Sequence, residues 1–209
     1  MSISIIIPTY RNPEYLDKYK DNIQVLDLGE NQGMQQALNL AVMNATNEMI
    51  FIVNDDNVFC KDYDLAILDI LKDREKTVLT VNQIEPTGPG PSINEDEVTI
   101  DGGIFPFAMY KKYYMAVGGF DTTYQSPFIC DWDFFLKLDL IDLKFCRTHK
   151  AHLYHFGSSA TKNGKEGELF KATEGPAADV FMYKWGMPPS LFENNSHRPK
   201  GTSIRGINF

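Results

Sequence analysis

The stretch MIFIVNDDNVF, Met49 to Phe59, carries the signal from which the fold is read. Its first five residues are apolar, the composition of a central strand covered on both faces. They run straight into Asn54, Asp55, Asp56 and Asn57, with no lysine or arginine beside them. A buried strand ending in two carboxylates and two amides suits the carboxyl end of an α/β sheet, where such sheets bind their ligands. A strand-to-loop turn has the same composition, because Asn and Asp side chains bond the local backbone.

Working outward, Ser2 to Ile7 is a β-branched run stopped by Pro8, and Ile23 to Leu28 and Thr77 to Val81 read as further strands. Between them the spacing predicts helices. Asn12 caps one over Pro13 to Lys20. Apolar Ala37, Leu38, Ala41, Val42 and Ala45 line one face of a second, from Met34. Asp62 can cap a third, through about Lys72. The alternation predicts an α/β fold with a mostly parallel central sheet flanked by helices, Rossmann-like up to about residue 82. Beyond it, Ile84 to Glu97 is a Pro/Gly-rich loop, and IFPFAMYKKYYMAVGGFD is a strand and a short helix ended by Gly118 and Gly119. CDWDFFLKLDLIDLKF is a capped helix and a strand. Residues 158–176, polar and Gly-rich, read as a mobile loop able to close over a ligand.

Bulk properties narrow the function. The chain has 209 residues, 43% hydrophobic and 23% charged, as expected of one compact globular domain. A formal net charge of -8 argues against a nucleic-acid or anionic-membrane binder. Cys60, Cys130 and Cys146 form no CxxC pair, so they read as reduced thiols. No apolar run is long enough for a signal peptide or a membrane span, and the expected location is cytoplasmic.

Three sites carry candidate chemistry. The Asn54–Asn57 tip suits a hard cation such as Mg²⁺ or Mn²⁺, which takes carboxylates together with substrate phosphates. In CDWDFFLKL, Asp131 either caps a helix, with Asp133 in its first turn, or serves as a general base kept ionised by the helix N-terminus. His149, His152 and His155 are spaced by three, which spreads them over different faces of a strand or helix, so the reading is one ligand beside Asp56, not a tri-histidine centre.

In order, SIIIPTYRNPEYL, ENQGMQQALNLAV, FIVNDDNVF, VGGFDTTY, CDWDFFLKL, HFGSS and YKWG together resemble the family 2 glycosyltransferases of the GT-A fold, over roughly residues 2 to 186. The resemblance implies a metal-dependent, inverting enzyme that moves a hexosyl or deoxyhexosyl group from a nucleotide-sugar donor to a glycan or glycoconjugate hydroxyl. It implies a nucleotide-binding half over residues 1–82 and an acceptor half over 98–186. Asn54-Asp55-Asp56 matches the family's DxD motif, which makes Asp56 a ligand of Mn²⁺ or Mg²⁺, with His155 able to reach the same ion or the diphosphate. Pro8, Thr9, Tyr10, Asn31, Asn54 and Asp55 would surround the donor, Gly102 and Gly103 precede the stretch shaping the acceptor side, and Asp131 would be the base. Two departures stand out. The strand whose acid usually reads the base and ribose has no counterpart, leaving Asp27 or Glu30 as replacements, and Cys130 replaces the first acid of the ED motif. A nucleotidyltransferase and a non-catalytic binding module are the competing readings. The first normally needs a glycine-rich basic loop after the first strand, which PTYRNPEYL lacks.

Overall fold

In the computed structural model the described residues are 2–9, 32–84, 97–99, 105–124, 126, 129–155 and 164–189. The helix expected over Pro13 to Lys20, the strand over Ile23 to Leu28, Asp27, Glu30 and most of the Pro/Gly-rich loop lie outside them, as do Tyr10, Asn31, Gly102 and Gly103.

The strand foreseen at Met49 is β2, Met49–Ile52, and all four of its residues are buried. It pairs in parallel with β1, Ile3–Ile6. Its other neighbour is antiparallel β6, Phe107–Tyr110, which in turn pairs antiparallel with β4, Thr77–Ile84. Strand β7, Lys144–His155, runs parallel to β4 and takes two antiparallel partners, β5 at Glu97–Thr99 and β3 at Asn57–Phe59. The sheet order is therefore β1-β2-β6-β4-β7-β3, with β5 also on β7. The α/β domain is as expected, but among the described residues the sheet is mixed, not mostly parallel. The reasons are β6, which inserts between two parallel strands and runs against both, and the short strands β3 and β5, which run against β7.

Side chains alternate across the sheet with period two, as pleating requires. Ile50, Ile52, Val78, Phe107 and Met109 face one core, and Met49, Phe51, Val53, Leu79, Val81 and Ala108 face the other. The first core is closed by α1, Met34–Asn44, through Leu38 and Val42, and by α4, Cys130–Leu140, through Phe134 and Phe135. Those two rings lie 5.8 and 5.2 Å from Phe107. The second core is closed by α2, Tyr63–Leu71, through Ile67 and Leu71. Asp62 holds the N-cap position of α2 but does not cap it: its backbone is left-handed, at φ 59°, and its side chain makes no cap hydrogen bond.

Helix α3, Lys111–Ala116, ends at Gly118 and Gly119, whose φ angles are 76° and 67°. At Gly119 a Cβ would lie 2.3 Å from Asn39 Oδ1. That oxygen accepts from the Phe120 N–H and the Tyr114 hydroxyl, so only glycine lets the chain pass this close.

The expected loop over residues 158–176 is corrected from Gly164 onward, residues 158–163 lying outside the described residues. From Gly164 the chain is helix α5, Gly164–Trp185, with Pro176 inside it. Tertiary anchors override the weak local propensity: Ala177 and Phe181 are buried in the first core.

Candidate active site

Topology gathers the candidate residues on one rim. Strands β1, β2, β4 and β7 run the same way, so Thr9, the Asn54–Asn57 tip and His155 all follow or end at their carboxyl ends. Helix α4 leads back to the opposite rim, where the Lys144 N–H donates to the Lys76 carbonyl at 3.0 Å. At 1.5 Å per residue, its 11 residues span roughly 16 Å, which carries its first turn toward the ligand rim.

At the strand tip the carboxylates are separately employed. Asp55 Oδ2 accepts from the Thr9 hydroxyl at 3.0 Å, joining the loop after β1 to the tip of β2. Asp56 Oδ2 lies 3.3 Å from His155 Nε2, and Asp56 Oδ1 accepts from Asn57 Nδ2 at 3.2 Å. Asn57 and His155 face each other in the β3–β7 register. That register depends on an irregularity: between Val81↔Thr148 and Asn82↔His152, β7 advances four residues while β4 advances one. Such a bulge re-aims the side chains beyond it. The three histidines are thereby separated. His149 sits in the bulge, His152 Nδ1 lies 3.2 Å from Asn82 Nδ2, and His155 reaches Asp56. Among the described residues no cluster of three or more His, Cys, Asp or Glu could hold a metal ion.

Asp131 is not the N-cap of α4. Ile129 holds that position, and Asp131 Oδ1 accepts from the Trp132 N–H at 2.9 Å. Nor does the helix N-terminus keep it firmly ionised. The residue is only half-buried, yet desolvation outweighs the backbone hydrogen bonds and pushes its carboxyl up to about 7. A carboxyl there is a stronger base than an ordinary aspartate and still half ionised near neutrality. Its neighbour Cys130 is fully buried, and burial pushes the thiol well up, so a neutral group stands in the place of the first acid of the ED motif.

Asp133 has a different task. It is fully buried, and its Oδ1 lies 2.8 Å from Lys184 Nζ, 2.9 Å from Trp185 Nε1 and 3.4 Å from the Tyr124 hydroxyl. Lys137 Nζ approaches its Oδ2 at 3.5 Å. Lys184 also binds Asp121 Oδ2 at 2.7 Å. For Asp121, burial alone would raise the pKa, but the Lys184 ammonium and the Thr123 hydrogen bonds bring it down to about 2. Asp133→Ala should lower stability by about 3 kcal/mol, the low end for a broken buried pair, because both lysines keep some access to water. Urea denaturation would measure it.

The sequence singled out Asp55, Asp56, Asp131 and His155; it included Asn57 in the strand tip and Lys184 and Trp185 in YKWG but gave none of the three its partner. Asn57 stood inside the quoted stretch, and only its pairing with His155 reveals what it supports.

A family model described as glycosyl transferase family 2 matches residues 7–141. The chain belongs to that family. Among solved structures it is similar to S. aureus TarS 1-349, at 14% identity and a TM-score of 0.60, over 91% of this chain and 73% of that one. TarS 1-349 in complex with UDP-GlcNAc is similar at 16% identity and a TM-score of 0.62, over 87% and 67%. GalNAc-T7 with UDP, GalNAc and Mn²⁺ is similar at 10% identity and a TM-score of 0.55, over 74% of this chain and 36% of that one. The family's GT-A fold is thus the fold of this chain. Among curated proteins none matches the sequence. No helix among the described residues is long and apolar enough to cross a membrane.

Proposed function

We propose that this family member is a metal-dependent, inverting glycosyltransferase that moves a sugar from a nucleotide-sugar donor to a hydroxyl of a glycan or glycoconjugate. The observation that carries the reading is the Asp56–His155 pair, 3.3 Å apart on the ligand rim of the sheet. Support comes from the structures it resembles, one solved with UDP-GlcNAc and another with UDP and Mn²⁺. One carboxylate and one imidazole fit a divalent ion that keeps its other positions for phosphate oxygens, Mn²⁺ more readily than oxygen-preferring Mg²⁺. Held by Asp56 and His155, the ion would supply Lewis-acid stabilisation of the leaving nucleoside diphosphate.

The remaining steps belong to the chain. In this reading residues 1–82 receive the donor and residues 98–186 the acceptor. Pro8, Thr9 and Asn54 line the nucleotide, with Asp55 holding Thr9 in place. Asp131 accepts the proton of the acceptor hydroxyl as that oxygen bonds to the anomeric carbon from the face opposite the breaking sugar–phosphate bond.

A panel of UDP-, GDP- and dTDP-sugars with Mn²⁺, scored for thermal stabilisation and slow donor hydrolysis, tests this. A donor at 100-fold its Kd should stabilise the protein by about 2.7 kcal/mol and be turned over. Stabilisation with no turnover of any sugar would favour a non-catalytic binding module instead.

A further inference from the structure

We propose that Lys184 and Trp185 are positioning residues for Asp131, acting through Asp133; the proposal rests on the reading of Asp131 as the base. Both residues lie in the YKWG motif, beyond position 141, where the match to the family model ends. At about 100° per residue, Asp131 and Asp133 point roughly 200° apart around α4. One can therefore face the acceptor while the other is sunk into the protein, and Asp133 is fully buried.

The two closest partners of Asp133 come from one stripe of α5. Phe181, Lys184 and Trp185 are spaced i, i+3 and i+4, which places them on one face of the helix. Phe181 takes the Trp132 ring at 6.5 Å in an edge contact, and Lys184 and Trp185 bind a single oxygen of Asp133 at 2.8 and 2.9 Å. The two residues that follow Asp131 are therefore gripped, one by a ring and one by charge. Lys184 also ties Asp121, in the turn after Gly119, to the same hub.

Stability alone is a poor reason for this arrangement. Buried ion pairs are often no better than apolar residues of the same volume, and their best-attested use is to fix one geometry. A base needs that, since a displacement of about 1 Å can cost about 10²-fold in rate.

The test compares Lys184→Met, Lys184→Arg and Trp185→Phe in the full chain. Lys184→Met should lower turnover of the UDP-, GDP- or dTDP-sugar accepted by wild type by up to ~10²-fold, with the Kd for nucleoside diphosphate and Mn²⁺ within about two-fold of wild type. Lys184→Arg should restore most of the rate. A second readout needs no turnover. The chain has two tryptophans, so Trp185→Phe leaves Trp132, next to the base, as sole reporter. Adding Lys184→Met to that background should increase acrylamide quenching of Trp132 while the protein stays folded. Unchanged quenching, an equal loss of rate in the Arg and Met variants, or equal losses of rate and donor affinity would each overturn the positioning role. Absence of turnover in wild type with every sugar would overturn the assignment of the base itself.

Discussion

Asp131→Asn should lower sugar transfer by about 10² to 10⁴-fold, the range a positioned general base contributes. Asparagine keeps the size of the side chain and can still accept the Trp132 N–H, but it cannot take a proton from the acceptor. In wild type, kcat should fall as pH drops through about 7, because protonation removes the base, and this limb should vanish in the variant. Stability should move the opposite way. The folded carboxyl titrates near 7, above its ordinary 3.8, so the fold retains a proton that the unfolded chain releases. The resulting stabilisation is complete below about pH 4 and is lost as pH rises through 7. Removing the charge should therefore raise Tm at pH 8, by ~2–4 °C for each kcal/mol of desolvation relieved. A slower enzyme that melts higher would mark Asp131 as a functional compromise in the fold. Normal turnover in the variant would return it to a structural role.

Asp56→Ala is the second large effect. Nucleoside diphosphate should bind wild type much more tightly with Mn²⁺ than with EDTA, and calorimetry of the variant should find the two conditions nearly equal. The loss of Mn²⁺ affinity should exceed the ~10–100-fold typical of changes one layer out from a metal. Asp55→Ala provides the contrast. Its carboxylate is engaged by Thr9, so the variant should weaken nucleotide binding while leaving the Mn²⁺ dependence intact. Equal affinity with Mn²⁺ and EDTA in wild type would remove the metal from the mechanism.

Local signals account for what the sequence disclosed. The apolar run of β2 and its acidic tip are contiguous, and the faces of α1 and α4 follow helical spacing, so the framework and four rim residues could be read directly. What escaped depends on partners far along the chain. The antiparallel insertion of β6 is invisible in FPFAMY, because a strand's sequence does not name its neighbours. The part of helix α5 up to Pro176 reads as loop because its glycines and Pro176 disfavour helix locally, and buried Ala177 and Phe181, just beyond it, are what hold it. The rise in the Asp131 pKa comes from burial, a property of the assembled domain.

The long strand β7 sets the order in which the protein can be completed at the ribosome. It supplies partners to β3, β4 and β5 at once, and His155 at its end closes the rim. A chain that has emerged only as far as residue 141 contains the whole family match but, among the described residues, leaves β4 with one free edge and β3 without its strand partner. Such an intermediate exposes unpaired backbone and apolar faces, the hazard that recruits chaperones. Contacts joining Asp56 to His155 and Asp133 to Lys184 span 99 and 51 residues, so their closure is late and slow. The proposed donor site is therefore among the last parts of the molecule to form, and a nascent chain stalled before β7 has neither a finished sheet nor the Asp56–His155 pair on which that proposal rests.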